Sequence, residues 1–371
     1  MRCAHSRTIF LCLALAGLSG CALIGGSQPD KSIVPPAAGD AAASRAPPLV
    51  TDRFELWPHT GDVVGAIQIV VARYEDTLLD FARAYNVGYD EIVAANPGVN
   101  PWLPGEGTPI VLPTQFVLPG GTREGIVLNV ATKRLFYFPK PEPGAVPVVF
   151  THPVGIGRVG WRTPVGATTV TAKARDPVWW VPASVRKEHA EMGDPLPAQV
   201  PPGPDNPLGH RVLGLGLPGY LIHGTNRPDG IGMRVSHGCV QLFPEDIEHL
   251  YEITPIGTPV RIVNEPFLFG WRDGQLYLDA HRPLEDDVAG HGLRLERLLG
   301  ELRAAAAGEP AAIDREHVAA LLAEGRGFPV PVTEGTVDPA TVLARALPVT
   351  NTVAHDALAA PPSGGNMSAA D

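Results

Sequence analysis

The chain has 371 residues, 44% of them hydrophobic and 18% charged, with a formal net charge of −10. That balance leaves no basic footprint for a nucleic-acid partner, and the length has room for about two or three domains. Glycine (41) and proline (40) are both abundant, which favours short strands and turns over a helical bundle.

Residues 1–20 read as an export signal: Arg2 and Arg7 start it, Thr8 to Leu18 form an apolar run, and Ser19 and Gly20 follow. The run falls short of the ~20 residues that span a bilayer, and no later stretch reaches that length. Leu18-Ser19-Gly20-Cys21 resembles the bacterial lipobox, whose cysteine becomes the first residue and carries a diacylglycerol. The resemblance implies lipidation at Cys21 and a periplasmic protein tethered to a membrane. Ala22 in place of Asp favours the outer membrane. Residues 21–67 are expected to be a tether, since their first half is rich in Ala, Pro, Gly and Ser without apolar periodicity.

Residues 68–115 change character. Gln68 to Val71 is a short β run. Leu78, Leu79, Phe81, Ala82 and Tyr85 follow helical spacing, with Asp76 as the expected N-cap. A second helix covers Asp90 to Ala95, Asn96-Pro97-Gly98 stops it, and Thr108 to Leu112 makes a closing strand. With Asp76-Thr77-Leu78, Tyr85-Asn86-Val87, Ala95-Asn96-Pro97 and Ile110-Val111-Leu112-Pro113, this βααβ order resembles a LysM module, which implies contact with the glycan of peptidoglycan. Glu75 stands where that family usually has glycine.

Residues 123–264 are strand-rich. Ile126 to Val130, Arg134 to Phe138, Val146 to Phe150, Ala167 to Ala172, Tyr220 to His223 and Thr258 to Val263 are predicted strands. Asp246 to Ile253 is predicted as a helix, with Pro244 at its start. Glu188 to His210, crowded with Pro and Gly, is expected to break regular structure and to act as a lid. Residues 265–345 should hold a hairpin around Asp273-Gly274 and helices near 292–307 and 314–324. Residues 346–371 are expected to be a disordered tail.

The chemistry centres on Cys239. The other cysteines, Cys3, Cys12 and Cys21, lie within the first 21 residues, so Cys239 is the one thiol expected in the folded part. Exported proteins usually pair their cysteines, and an unpaired one next to a His-Gly pair, with a second His-Gly pair upstream, reads as a nucleophile. His223 closes a predicted strand and can serve as base, since a nearby imidazole lowers the cost of forming a thiolate. His237, two residues before the cysteine, can orient that base through its ring or its carbonyl. Gly238 lets the chain turn so that its own N–H and that of Cys239 face a developing oxyanion. These are the parts of acyl transfer through a thioester. Gly155-Ile156-Gly157-Arg158-Val159-Gly160 fits a dinucleotide-binding pattern, but a turn follows it where a helix is required. His223, His237 and Cys239 lack the close pairing of zinc ligands, so neither metal nor cofactor is expected.

His223-Gly224-Thr225 with Ser236-His237-Gly238-Cys239 matches the signature of the L,D-transpeptidases, the YkuD-type cell-wall enzymes. Thr151 to Val154, Gly155 to Arg158, Arg162 to Gly166 and Ser184 to His189 extend the likeness to the periplasmic branch that joins a LysM module to that domain. The resemblance implies a mainly β, sandwich-like catalytic domain with a small βααβ module and an α-rich C-terminal extension. It implies that Cys239 attacks the carbonyl before the terminal D-alanine of a peptidoglycan tetrapeptide stem. The acyl group would pass to a diaminopimelate amine, making a 3-3 cross-link, or to a lysine of an outer-membrane lipoprotein. Ser236 belongs to the same motif. Candidate substrate contacts are Thr225, Trp179, Arg234 and Gln241; the last replaces the usual Arg or Asn and cannot ion-pair with a carboxylate. The alternatives are a weakly active peptidoglycan-binding lipoprotein and an L,D-carboxypeptidase.

Overall fold

The computed structural model describes residues 45–287, 291–306, 313–333 and 337–355. The segment expected to be an export signal, and Cys21, lie outside these residues. Among the described residues no helix is long and apolar enough to cross a membrane.

The architecture is mainly β. Its frame is a nine-stranded mixed sheet, in spatial order Arg53–Glu55, Val148–Pro153, Arg134–Phe138, Gly125–Asn129, Pro259–Val263, Gly166–Arg175, Arg211–Leu215, Leu221–His223 and Val240–Gln241. Gly125–Asn129 and Arg134–Phe138 are buried at every position, because both sheet faces are covered. Ile126, Leu128, Leu135 and Tyr137 pack on one face with Ile247 and Leu250 of the helix Pro244–Ile253. Val127, Phe136 and Phe138 pack on the other with Val64, Phe116 and Leu118. Pro244 occupies the first turn of that helix with Glu245 and Asp246, a placement that suits the helix dipole.

Residues 45–67 are not a free tether. Arg53–Glu55 pairs with the sheet edge at Val148–Phe150, and Val63–Gly65 pairs with Gln115–Val117. Three-residue strands are too short to show periodicity in sequence. The expected tail is also partly built into the fold. Leu347–Pro348 adds a parallel strand to Gln68–Ile69, and Asn351 and His355 hydrogen-bond to Asp76.

Asp76 is therefore not the N-cap. Its side chain is buried against Arg73, Asn351 and His355, which holds the carboxyl down at about 2 although burial itself pushes the other way. Thr77 caps the helix Leu78–Ala84 in a capping box with Asp80. The second helix, Tyr89–Ala95, and the strand Pro109–Leu112 complete the βααβ module.

The module is fixed to the large sheet by a buried ion pair. Arg134 Nη2 reaches Glu91 Oε2 at 2.7 Å, and its Nε reaches Oε1 at 2.8 Å. The same guanidinium lies 4.1 Å from the centre of the Phe116 ring. Nearby, Gly232 touches Gly88 and Tyr89 so closely that a Cβ there would fall 2.3 Å from the Gly88 Cα. The loop that leads from His223 to the Ser236 motif is thus braced by the module.

C-terminal to the sheet, Phe267–Arg272 and Gln275–Ala280 form a hairpin around Asp273 and Gly274, both at positive φ, as a two-residue turn requires. The helices His291–Ala305 and Arg315–Glu324 pack on it through Leu298, Leu299, Leu302, Val318 and Leu322.

Candidate active site

The nucleophile loop sits where two strands run parallel. Ile222 pairs with Val240 and His223 with Gln241, so Cys239 falls beside Leu221, two residues before His223 on the neighbouring strand. Cys239 is the free cysteine of the described residues; its Sγ lies 3.6 Å from the Gly219 carbonyl oxygen. Burial pushes its thiol up, and the Leu221 backbone N–H only partly opposes this. His223 is buried, and burial pulls its imidazole down to about 4 against the favourable carbonyls of Gly224 and Leu208. Its Nδ1–H donates to the Gly224 carbonyl at 2.6 Å. In the neutral ring that bond leaves Nε2 unprotonated and able to accept. A neutral thiol and a neutral imidazole are therefore carried on neighbouring segments, an arrangement that can move one proton when sulfur attacks.

Gly238 has φ +107°, and an added Cβ would meet the Tyr220 ring at 3.0 Å. This turn folds the motif back on Ser236. The Ser236 hydroxyl donates to the Cys239 carbonyl at 2.5 Å and accepts the Gly238 N–H at 3.1 Å. The Gly238 N–H, expected to face an oxyanion, is instead spent inside the loop. The Cys239 N–H makes no hydrogen bond with a described residue, and it is the donor left beside the sulfur. Thr163 locks the turn: its hydroxyl donates to the Gly238 carbonyl at 2.9 Å and accepts the Gly157 N–H at 3.0 Å.

His237 does not orient His223, whose Nδ1–H is held by a backbone carbonyl. Its partners lie on the opposite side. His237 Nε2 is 2.8 Å from Glu188 Oε2 and 2.9 Å from Arg158 Nη2. Arg158 can only donate, so its contact is a hydrogen bond only in a tautomer that gives up Glu188. The hydrogen bond from His237, with help from Arg158, holds the Glu188 carboxyl below its usual range, which favours the proton on Nε2 and donation to Glu188. Burial is the main force holding the His237 imidazole itself below its ordinary value. Trp161 completes the cluster, its ring 4.9 Å from that of His237 and its Nε1 donating to Glu188 Oε1 at 3.3 Å.

Glu188 comes from the helix Ala183–Glu191, in a stretch expected to be irregular. That helix buries only Val185, so its apolar spacing carries no helical signal. Beyond it, Gln199–Val200 pairs with Trp179–Trp180, and the Asn206 side chain ties Pro177 to Pro201. Trp179 is half-buried in this pairing, while Trp180 is 71% exposed.

The remaining candidates are placed as follows. The Thr225 hydroxyl accepts the Arg227 N–H at 3.0 Å within its own turn. Gln241 exchanges backbone hydrogen bonds with Gly155, and its side-chain amide bonds to no described residue. Arg234, expected to meet a substrate carboxylate, is already bound. It grips Asp286 through Nη1 at 2.7 Å and Nη2 at 3.2 Å, and it donates to the Gly157 carbonyl through Nε. Arg162 takes the same Asp286 at 2.6 Å, and the two arginines, Arg234 foremost, hold that carboxyl down at about 2. Asp286 lies past the hairpin, too far along the chain for sequence to pair it with Arg234. Arg158, Thr163 and Glu188 were legible only as parts of the family likeness, with no role attached, and Trp161 only as part of a turn.

Residues 123–262 match the model of the L,D-transpeptidase catalytic domain, YkuD. The "Probable L,D-transpeptidase YbiS" of Escherichia coli K12 is 43% identical over 246 residues, covering 65% of this chain and 76% of the relative. The "Probable L,D-transpeptidase YcfS" of the same strain is 37% identical over 309 residues, covering 81% and 95%. The chain belongs to the L,D-transpeptidase family. It is thus an enzyme of the class that acts on peptidoglycan. A solved NMR structure of the E. faecium L,D-transpeptidase catalytic domain is similar over 38% of this chain and 99% of its own, at 21% identity and a TM-score of 0.29; the family membership rests on the sequence relatives.

Proposed function

We propose that this L,D-transpeptidase works through a thioester on Cys239, with His223 as its general base and tetrapeptide stems of peptidoglycan as acyl donors. The observation that carries the reading is the His223 ring, buried and neutral, with its proton on Nδ1 and Nε2 left to accept beside the Cys239 strand. As sulfur attacks the carbonyl before the terminal D-alanine, the thiol proton passes to Nε2. The oxyanion gathers the Cys239 N–H. When the C–N bond breaks, the departing D-alanine amine takes the proton back from His223. An acceptor amine then attacks the thioester, His223 removes its proton, and the thiol is restored on release.

Acceptors of this reaction are a diaminopimelate amine of a second stem or a lysine of an envelope lipoprotein. Residues 68–115 act as a LysM module: Tyr74 (82% exposed), Trp102 (60%) and Leu103 (73%) stand on two loops joined by the Leu78 N–H to Pro101 carbonyl bond, a surface on which sugar rings can stack. Cys21 would carry the lipid that holds the enzyme on the periplasmic side of the outer membrane.

The test is incubation of the protein with a purified tetrapeptide stem, read by intact mass. A covalent adduct on Cys239, less the mass of D-alanine, is expected, and it should be absent from Cys239→Ala. Transfer to an added amine gives a cross-linked dimer. Release of tripeptide alone, with or without amine, would make the enzyme an L,D-carboxypeptidase, and a Cys239→Ala protein that still cross-links would remove the thiol from the mechanism.

A further inference from the structure

A tetrapeptide donor carries its own carboxylate one residue beyond the bond that is broken, so a cation near the nucleophile is wanted. Three arginines and one glutamine surround the motif. Gln241 has no charge. Arg234 and Arg162 are both bound to Asp286, and the Arg234 side chain is only 10% exposed. Arg158 is differently placed. Its backbone N–H donates to the Ser236 carbonyl at 3.0 Å, which seats it against the nucleophile loop. Its Nη2 bonds Glu188 at 2.5 Å and approaches His237, two residues from the sulfur. One outward donor is unspent: Nη1 makes no hydrogen bond with a described residue while the side chain keeps 33% of its exposure, and Nε, on the other side of the guanidinium, is buried without a partner. A carboxylate is the acceptor that such a charged N–H binds most strongly.

Resting on the tetrapeptide reading above, we infer that Arg158 is a specificity-determining residue that receives the α-carboxylate of the leaving D-alanine. Glu188 holds the guanidinium in place and couples it to the helix Ala183–Glu191. The Arg158–Glu188 pair is neutral overall, so the incoming carboxylate meets oriented donors without a surplus cation being exposed in the empty site. Once the D-alanine departs, the same donors are freed before the acceptor arrives. This assigns the carboxylate to an arginine 83 positions before Gln241, on a different strand connection from the one where the motif would place it.

The experiment compares three donors on the full chain: the tetrapeptide acid, its C-terminal carboxamide, and the acid amidated on the diaminopimelate side-chain carboxylate. Acyl-enzyme formation is followed by mass for wild type, Arg158→Gln, Arg158→Lys and Glu188→Gln, with melting temperatures measured in parallel. Wild type should prefer the acid over its carboxamide. Arg158→Gln should lower kcat/KM on the acid by about 10- to 100-fold, mainly through KM, and change the carboxamide by less than about threefold, the span expected for hydrogen bonds to a charged group. Arg158→Lys should recover part of the preference, because charge returns without the fork. Glu188→Gln, which loosens the guanidinium, should change the acid more than the carboxamide, though by less than Arg158→Gln does. An equal loss on both donors in Arg158→Gln would reduce Arg158 to a structural role and overturn the inference. A loss confined to the side-chain-amidated donor would move the contact away from the leaving residue and also overturn it. If wild type forms no acyl-enzyme with any of the three, the tetrapeptide reading itself falls, and that is seen before any variant is compared.

Discussion

Glu188 Oε2 lies 2.8 Å from His237 Nε2, joining the helix Ala183–Glu191 to the loop that carries Cys239. A carboxylate on one wall of the site thus sets the tautomer of a histidine on the other, and Trp161 and Arg158 close the same cluster. Removing Glu188 frees both walls at once. Glu188→Ala should slow acylation of Cys239 by roughly tenfold while leaving the melting temperature within a few degrees, since an ion pair that water still reaches contributes little to stability. Limited proteolysis should then cut within residues 188–210 sooner than in wild type. Unchanged proteolysis together with unchanged acylation would show that the helix is held by other contacts.

His223 makes stability depend on pH. Its folded value of about 4 lies below the ordinary 6.5, so the unfolded chain takes up a proton that the folded chain refuses. The neutral histidine costs nothing above pH 6.5. As pH falls from 6.5 towards 4 the fold loses stability, on the order of 3 kcal/mol from this residue. Urea unfolding of wild type and His223→Gln across that window should show the loss in the former and a flatter profile in the latter.

The Arg134–Glu91 pair behaves in the opposite sense. The Arg134 charge and its hydrogen bonds hold the Glu91 carboxyl below its ordinary value against the burial that pushes it up. Its contribution is therefore present above the ordinary carboxylate pKa and is lost as pH falls through the lowered one. Arg134→Ala leaves a buried carboxylate unpaired and should cost about 3–5 kcal/mol by chemical denaturation. The double change Arg134→Met with Glu91→Leu, which removes both charges, should recover much of that loss.

Gly238→Ala forces a side chain into φ +107° and against Tyr220. The strain, about 1–3 kcal/mol, is expected to be relieved by shifting the nucleophile loop instead of by unfolding. Acylation should fall by more than tenfold while circular dichroism stays unchanged, and alkylation of Cys239 by iodoacetamide should report the displaced thiol. Wild-type acylation in this variant would show that the loop tolerates the shift.

Deletion of residues 346–371 removes the strand Leu347–Pro348 and two of the groups that surround the buried Asp76. Asp76 would keep Arg73 but lose Asn351 and His355. The shortened chain should melt several degrees lower, with the loss confined to the βααβ module by hydrogen exchange. An unchanged melting temperature would mean that the tail merely lies on the surface.

Local chemistry made much of the molecule legible. Arg134 to Phe138 is a short, largely apolar and aromatic run bounded by turn residues, Pro244 starts a helix with Ile247 and Leu250 on one face, and Asp273-Gly274 supplies the positive φ of a hairpin. Cys239 and His223 stood out because a lone thiol directly after a His-Gly pair, with a second His-Gly pair upstream, reads as a nucleophile with its base. These features depend on a few adjacent residues, and sequence displays them directly. The partners of the site residues do not. Whether Arg234 is free or held by Asp286, whether Gly238 N–H faces substrate or Ser236, and whether His237 serves His223 or Glu188 are decided by side chains brought together from distant segments. The sequence by itself determined the family and singled out Cys239. Only the tertiary structure decided which charges are already spent, because a hydrogen bond excludes competitors through position in space, which residue order does not encode.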